Sequence, residues 1–175
     1  VDTDIGLRNL DVVLGLENRI VFDLVDVAEG SCRLKQALIK DKRYDGLYLL
    51  PAAQSRNKMA VTPEQMKEIV KQLEDEFDYV IIDCPAGLGR GFETAVAAAE
   101  RALVVTTPDM VCARDAQVVG HLLFARDLRA RLIINRLRPS LVMRGAMPDV
   151  DEIIDTAGLQ LMGVLPEDGQ VAVAN

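Results

Sequence analysis

The sequence is poor in the residues on which several classes of site depend. It contains one histidine, three cysteines and 4% aromatic residues in a chain of 175. The single histidine, His121, excludes a zinc site built on histidines and a Ser-His-Asp triad. The cysteines, Cys32, Cys84 and Cys112, form no CxxC pair, which is typical of a protein from a reducing cytoplasm. No apolar run approaches the length of a membrane span, and no signal peptide opens the chain.

The sequence also lacks the features of two classes that bind nucleotides or nucleic acids. No GxGxxG motif is present, which argues against a dinucleotide-dependent dehydrogenase. The formal net charge of −7 argues against a protein that coats nucleic acid without sequence preference. One stretch is rich in arginine, but no aromatic residues alternate with the arginines to stack on bases. We therefore expect no specific nucleic-acid partner.

The hydrophobic half of the sequence predicts a parallel sheet. Because aromatic residues are scarce, the core must be built from aliphatic side chains, as in a sheet covered by helices. Nearly continuous apolar runs predict parallel strands that are buried on both faces. These runs lie at residues 47–50, 79–82, 102–105 and 131–134, with a weaker one at 161–165.

Helical patterns separate the predicted strands. Thr62, Pro63 and Gln65 form a capping box with proline at the first helical position, and an apolar stripe continues from there to Phe77. Further helices are predicted at residues 92–101, 115–126 and 150–156. Strands that alternate with helices predict an α/β fold, with an open, mostly parallel sheet and helices on both faces. We expect residues 1–175 to form a single domain.

The predicted strand at residues 79–82 delivers a carboxylate to the functional edge of the sheet. Polar residues at the carboxyl ends of parallel strands commonly form the site of such folds. Asp83 follows the strand and could hold the water shell of a nucleotide-bound Mg²⁺, and Gly87 would let a backbone amide approach a terminal phosphate. Alternatively, Asp83 only caps the next helix.

A second pair of acidic residues lies at the start of the chain. Asp2 and Asp4 are one residue apart at what looks like the end of a strand, so both can face one reaction centre once the chain turns. One such carboxylate can orient a water for in-line attack on phosphorus. An acidic turn without catalytic function explains the same residues.

Five segments resemble a known family when they are taken together. They read VDTDIGLRNLDVVLGLENRIVFDLVDV, IIDCPAGLGRGFETA, VVTTPDMVCARDA, NRLRP and GVLPEDGQV, in chain order. The sequence thereby resembles the MinD branch of the ParA/MinD family of deviant Walker A ATPases, which have the P-loop NTPase fold of the SIMIBI class. The similarity covers essentially the whole chain. NRLRPxxVxRGxM at residues 135–147 and LLPAAQ at residues 49–54 resemble this branch more than its ParA relatives.

The resemblance implies roles for individual residues. Asp4 matches the aspartate that helps to place the attacking water, and Asp2 matches its neighbour near the magnesium shell. Asp83 resembles the Walker-B acid, which takes part in catalysis and holds Mg²⁺ through water, with Gly87 as the hinge near the γ-phosphate. The positions that match the segments around the adenine base are Asn135, Arg136, Pro166, Glu167 and Asp168.

The resemblance also implies partners and a place of action. The positions that match the surface for the regulators MinC and MinE are Arg8, Asn9, Asp109, Arg114 and Asp115, although Gln117 stands where an acidic residue is expected. The complete protein is expected to be a cytoplasmic ATPase that forms a homodimer with ATP. The dimer is expected to dock on the anionic inner face of the membrane through a C-terminal helix. It would recruit MinC to inhibit FtsZ assembly, and MinE or an equivalent regulator would stimulate its release.

The sequence departs from the family pattern at both ends. No KGGxGKT-like phosphate loop is present, and no amphipathic helix follows Asn175, so we expect residues 1–175 to be truncated at both ends. The 175-residue chain alone is then expected to bind ATP weakly and to hydrolyse essentially none. Two alternatives remain open. One is a ParA-like ATPase that partitions DNA, and the other is a non-catalytic protein that binds partners after losing its phosphate loop.

Overall fold

A computed structural model describes residues 1–54 and 60–174. The chain divides into two compact units, Val1–Ala99 and Glu100–Asn175, which we call the N-terminal unit and the C-terminal unit. None of the helices in the described part of the chain is both long enough and apolar enough to cross a membrane.

The N-terminal unit contains short helices and one two-stranded antiparallel ribbon. Its elements are α1 (Leu10–Leu14), a 3-10 turn (Glu17–Arg19), α2 (Leu24–Ala28), α3 (Leu34–Ala37), β1 (Ile39–Lys40), β2 (Tyr48–Leu49), α4 (Pro63–Glu74) and α5 (Arg90–Ala97). Local capping sets the start of several helices. At α4, the Thr62 hydroxyl accepts a hydrogen bond from the Gln65 amide, and the Gln65 side chain accepts one from the Thr62 amide. This exchange satisfies donors that the first turn would otherwise leave free.

The core of the N-terminal unit is aliphatic, as its composition predicts. One stripe of α4 is fully buried and contains Met66, Ile69, Val70 and Leu73. It packs in one cluster with Leu24 and Val25 of α2. The core therefore fixes α2 and α4 relative to each other.

The C-terminal unit is built on a regular parallel sheet. Its elements are β3 (Arg101–Thr106), α6 (Met110–Phe124), β4 (Arg129–Leu137), α7 (Pro139–Val142), α8 (Val150–Ala157), β5 (Leu161–Pro166) and α9 (Gly169–Ala174). The strand order is β3-β4-β5. Strands β3 and β4 pair in parallel along six residues, from Arg101 opposite Arg129 to Thr106 opposite Ile134. Each crossover contains at least one helix, as parallel connections require.

Helix α6 covers one face of this sheet. It contacts β3 and β4 and packs on α8, and the inward residues Leu132 and Ile134 of β4 are fully buried. Gly120 of α6 faces Leu159, and a Cβ at position 120 would lie 2.9 Å from Cδ2 of Leu159, so a larger residue would displace that side chain. The expected parallel sheet with flanking helices is thus confirmed.

Several details of the sequence-based predictions are wrong. Residues 79–82 form no strand, and the isolated bridge to Asp2 lies just after them, at Asp83. Residues 48–49 pair with β1 in antiparallel rather than parallel fashion. The apolar runs are not buried on both faces either, because Leu103 is 56% exposed and Tyr79 is 88% exposed. Helices α5 and α6 begin earlier than predicted, at Arg90 and Met110.

Candidate functional site

The main chain places Asp2 beside Asp83. The amide of Asp83 donates to the carbonyl of Val1 at 2.8 Å, and the amide of Thr3 donates to the carbonyl of Asp83 at 3.1 Å. This pair of bonds makes a parallel bridge between Asp2 and Asp83. On its other side, the Asp2 amide donates to the Leu50 carbonyl at 2.9 Å. Two of the predicted site residues are therefore direct neighbours in space.

The carboxylate of Asp2 is buried and only half satisfied. The side chain is fully buried, and its Oδ1 accepts a hydrogen bond of 2.9 Å from the Asp4 amide. Its Oδ2 has no hydrogen-bond partner among the described residues. Burial raises the pKa of Asp2 above its ordinary value. The main-chain amides of Asp4 and Leu10 offset part of this rise, and the negative charges of Asp83 and Asp4 add to it. The protein thus concentrates negative charge where one buried oxygen lacks a donor.

This arrangement fits a hydrated Mg²⁺ ion. Within residues 1–54 and 60–174, no three His, Cys, Asp or Glu side chains converge as a metal cage. Mg²⁺ does not require such a cage, because it usually keeps several waters and takes one or two carboxylates together with substrate phosphates. The unpartnered Oδ2 of Asp2 and the exposed carboxylate of Asp83 match that donor set.

The turn after Asp2 places Asp4 and closes on itself. The carbonyl of Asp4 accepts hydrogen bonds from the amides of Leu7 and Arg8, at 3.1 and 3.0 Å. Arg8 has a positive φ of 45°, and its Nε lies 3.1 Å from Oδ2 of the buried Asp11. The charge that we expected Arg8 to present to a partner is therefore engaged in an internal ion pair. Asn9, which precedes α1, is exposed.

Two glycines in the segment after Asp83, one in the loop and one in α5, are needed for different reasons. Gly87 has a φ of 87°, a conformation that side chains with a Cβ rarely adopt, although a Cβ there would meet no neighbouring atom. Gly91 is needed for space, because its Cβ would lie 2.6 Å from Cγ of Pro85. The predicted hinge glycine thus lies in an open loop that leads directly into α5.

In the C-terminal unit, a bulge at the end of β4 contains Asn135 and Arg136. The register advances three residues on β4, from Ile134 to Leu137, for two residues on β5, so β4 holds one extra residue there. Arg136 has a positive φ of 62°. Such a conformation costs on the order of 1–3 kcal/mol for a residue other than glycine, and surrounding contacts must hold it.

The end of β5 supplies those contacts. The carboxylate of Glu167 accepts hydrogen bonds from Arg136 and from Nε of Arg138, with Nη2 of Arg136 at 2.9 Å from Oε1. The amide of Glu167 donates to the carbonyl of Leu137 at 2.8 Å. Asp168 accepts a hydrogen bond from the Gln170 amide and so begins α9. The structure therefore brings together the residues that are predicted to flank the adenine base, namely Asn135, Arg136, Pro166, Glu167 and Asp168.

The remaining predicted partner-binding residues lie on or beside α6. Asp109 caps the helix, because its carboxylate accepts from the amides of Val111 and Cys112 at 2.8 and 3.2 Å. Arg114 and Asp115 are exposed on the first turns of the helix. Asp109 thus has a structural function whether or not a partner binds there.

Sequence reasoning missed two polar residues that organise the site. The Thr3 hydroxyl donates to the Asp83 carbonyl at 2.5 Å and reinforces the bridge between the two strands. Arg138 shares the Glu167 carboxylate with Arg136. A hydroxyl residue between two acidic residues at a strand end could have indicated the first. No local sequence signal indicates the second, because Arg138 and Glu167 are 29 positions apart.

The chain is similar to known proteins in sequence and in structure. The sequence profile of a family described as AAA domain matches residues 1–123. The septum site-determining protein MinD of Bacillus subtilis is 53% identical over 178 residues. The Aquifex aeolicus MinC:MinD cell division protein complex contains a chain with a TM-score of 0.89 and 40% identity, and the alignment covers 99% of this chain and 70% of that one. A Pyrococcus horikoshii MinD complexed with Mg-ADP has a TM-score of 0.86 and 29% identity, and covers 99% of this chain and 70% of that one.

These matches extend over nearly the full length of the sequence. The Bacillus subtilis alignment includes 100% of this chain and 66% of the relative, so the chain spans just under two thirds of that protein. Because the family profile covers well over half of the chain and the identity to the relative exceeds 50%, the chain belongs to the MinD family of septum site-determining proteins.

Proposed function

We propose that this chain is part of an ATP-dependent switch that helps to place the bacterial division site. The observation that carries the proposal is the isolated parallel bridge between Asp2 and Asp83, which sets two acidic residues side by side. Because Oδ2 of Asp2 has no hydrogen-bond partner, a cation bound beside this pair would satisfy it. Acidic groups at the carboxyl ends of strands are where P-loop ATPases hold the magnesium of their nucleotide.

The residues of the N-terminal unit would act on the phosphates. Asp2 and Asp83 would hold Mg²⁺ through its waters, and the ion, when bound, would neutralise charge on the phosphate oxygens. Asp4 would orient the attacking water, because it lies two residues beyond the buried Asp2 and its amide donates to the Asp2 carboxylate. Gly87 would let the loop after Asp83 respond to the γ-phosphate, since its positive φ permits a main-chain change that other residues resist.

The residues of the C-terminal unit would act on the adenine base. Asn135 and Arg136 lie in the bulge of β4, and Pro166 pairs with Leu137 at the end of β5. Pro166, Glu167 and Asp168 would line the same base from the second strand. A bulge is a common way to redirect side chains next to a functional site, which agrees with this assignment.

In the complete protein, the nucleotide would control assembly and location. ATP would drive formation of a homodimer, which would dock on the anionic inner face of the membrane through a helix outside residues 1–175. A single amphipathic helix binds a membrane weakly, whereas two joined helices gain avidity on the order of 10²–10⁴. The docked dimer would recruit MinC to inhibit FtsZ assembly, and MinE or an equivalent regulator would stimulate hydrolysis and release.

Calorimetry with Mg-ATP tests the proposal. The full-length protein should bind Mg-ATP and hydrolyse it slowly, and the 175-residue chain should bind weakly and hydrolyse essentially none. Family members hold the phosphates mainly by a loop that residues 1–175 do not contain, which explains the difference. Tight binding of Mg-ATP by the 175-residue chain would contradict this part of the proposal. Failure of the full-length protein to bind any nucleotide would favour a non-catalytic partner-binding protein.

Sedimentation with lipid vesicles and with DNA distinguishes the proposed function from the remaining alternative, a ParA-like partition ATPase. The full-length protein should pellet with anionic vesicles in ATP and stay in solution in ADP. Its retention on duplex DNA should be negligible, since the net charge of these 175 residues is −7. ATP-dependent retention on DNA without vesicle binding would instead indicate a ParA-like partition ATPase.

A further inference from the structure

Glu167 is shared by two arginines, and only one of them belongs to the predicted site. Nη2 and Nε of Arg136 lie 2.9 and 3.3 Å from Oε1, and Nε of Arg138 donates to Oε2. The Glu167 side chain is 23% exposed, whereas those of Arg136 and Arg138 are 64% and 52% exposed. The carboxylate is therefore the enclosed centre of a three-residue bridge between the ends of β4 and β5, which we call the Glu167 bridge.

The bridge leaves the Glu167 carboxylate little capacity for a hydrogen bond to a nucleotide, although the residue can still line the base. Each of its two oxygens already accepts from a guanidinium, and its amide is used by the carbonyl of Leu137. The side chain of Asn135, by contrast, keeps its hydrogen-bonding capacity. It is half-buried and makes no hydrogen bond to any residue that the structure describes, so its amide remains free to donate and accept.

The bridge also opposes the conformational strain of the bulge. Arg136 has a φ of 62°, and its side chain is tied through Glu167 to Arg138, which directly follows β4. Glu167 thus restrains Leu137 from both sides. Its carboxylate holds the residues before and after Leu137, and its amide donates to the carbonyl of Leu137. Removing Arg138 would leave Arg136 with half of the bridge and free the bulge to relax.

We propose that Arg138 is a positioning residue for the base-binding end of the C-terminal unit. It holds Glu167, and through it Arg136 and the bulge, so that Asn135 presents its amide to the base. Glu167 in this scheme acts through the arginines and makes no hydrogen bond to the base. This inference rests on the proposed nucleotide binding and adds to it the residue that fixes the specificity for adenine.

The test compares Arg138→Ala and Arg138→Lys in the full-length protein, with Arg144→Ala as the matched control. Arg144 is an exposed arginine nearby in the sequence, with no side-chain partner among the described residues. Affinities for Mg-ADP and Mg-GDP are measured by calorimetry, kcat is measured at saturating ATP, and the melting temperature is measured without nucleotide. Arg138→Ala should weaken Mg-ADP binding about tenfold and reduce the preference for ADP over GDP, because the bulge and Asn135 lose their restraint.

The other measurements show whether Arg138 acts by positioning. The kcat at saturating ATP should stay within about twofold of the wild-type value, because Arg138 does not act on the phosphates. Arg138→Lys keeps one charged donor and should recover part of the ADP preference, and Arg144→Ala should match the wild type. Unchanged ADP affinity in Arg138→Ala would overturn the inference and leave the proposed function intact. Equal losses for ADP and GDP with a lower melting temperature would also overturn it, because they indicate a purely structural role. A wild-type protein that binds no nucleotide would refute the proposed function itself.

Discussion

The two units of the chain treat their polar groups in opposite ways. In the N-terminal unit, Oδ2 of Asp2 and Oδ1 of Asp11 are buried and lack hydrogen-bond partners among the described residues. In the C-terminal unit, the carboxylate of Glu167 is satisfied by two guanidinium groups. Buried polar atoms without partners are costly and rare. The two units therefore differ in how completely their polar groups are satisfied, and this difference supports the proposed binding of a charged ligand at the N-terminal unit.

The two units also differ in how far their extended segments pair. Strands β3 and β4 pair along six residues, whereas residues 1–3 and 81–83 are joined by a bridge at Asp2 and Asp83. A short pairing is easier to rearrange, because fewer main-chain bonds must break. We therefore expect the acidic residues to respond to the phosphates and the base-binding residues to stay in place.

The largest effect is expected from Asp4→Ala in the full-length protein. Loss of a group that orients the attacking water should lower single-turnover hydrolysis by about 10²–10⁴-fold. ATP affinity should stay within about twofold, because Asp4 does not grip the nucleotide. Asp78→Ala removes an exposed acid of the same unit and is the control. An unchanged hydrolysis rate would show that Asp4 is an ordinary turn residue. The proposed functional difference between the N-terminal and C-terminal units would then lose its support.

The next largest effect tests the order of the C-terminal unit. Leu132 is fully buried on β4, so Leu132→Ala should lower the free energy of unfolding by about 2–5 kcal/mol. Leu103, on the neighbouring strand, is 56% exposed, and Leu103→Ala should change that free energy by less than about 0.5 kcal/mol. Urea denaturation monitored by circular dichroism measures both. Similar losses in the two variants would mean that both faces of this sheet are packed.

A smaller effect is expected from removing the charge of Asp2, whose buried carboxylate has one oxygen without a hydrogen-bond partner. The pKa of Asp2 is raised, so the folded state holds the proton more tightly than the unfolded state does. Ionisation therefore weakens the fold as the pH rises above the ordinary value of 3.8. Without nucleotide or Mg²⁺, Asp2→Asn should raise the free energy of unfolding at pH 7 by about 1–3 kcal/mol.

The pH dependence of Asp2→Asn checks the sign of this effect. The gain over the wild type should vanish below pH 3.8, where the carboxyl group is protonated in both states, and Asp78→Asn should show no such trend. Urea denaturation between pH 3 and pH 7 gives the curves. A less stable Asp2→Asn protein at pH 7 would mean that the carboxylate already has adequate partners.

The smallest effect should be the same in both units. Thr62 caps α4 in the N-terminal unit, and Asp149 caps α8 in the C-terminal unit, each in a capping box. Thr62→Ala and Asp149→Ala should each lower the free energy of unfolding by about 1 kcal/mol, because a cap acts locally. Urea denaturation of the two variants gives the comparison. A loss several times larger in one unit would show that the units differ in their helices as well as in their strands.

The success of the sequence-based predictions followed the range of the interactions involved. Helix α4 was predicted from Thr62 and Gln65, whose side chains contact only their own turn. Strands β3, β4 and β5 were predicted from apolar runs. Residues 79–82 have the same kind of run but form no extended strand, because strand formation depends on neighbours that are distant in sequence.

The same distinction applies to the candidate site. The acidic residues were predicted because strand ends converge at one edge of a sheet, and the bridge between Asp2 and Asp83 agrees with that reasoning. The burial of Asp2 and the pairing of Arg8 with Asp11 depend on packing, which periodicity does not encode. Arg138 was missed because its partner, Glu167, lies on another strand.

Hydrogen exchange with nucleotides that differ only in the γ-phosphate tests the central claim most directly. The full-length protein is compared with Mg-ADP and with a non-hydrolysable Mg-ATP analogue, and amide protection is read by mass spectrometry. The account predicts that residues 2–9 and 83–89 gain protection only with the ATP analogue. Residues 135–138 and 166–168 should be protected equally by both nucleotides. Equal protection of the acidic segments by ADP and the ATP analogue would contradict the account, because those segments would then not sense the γ-phosphate.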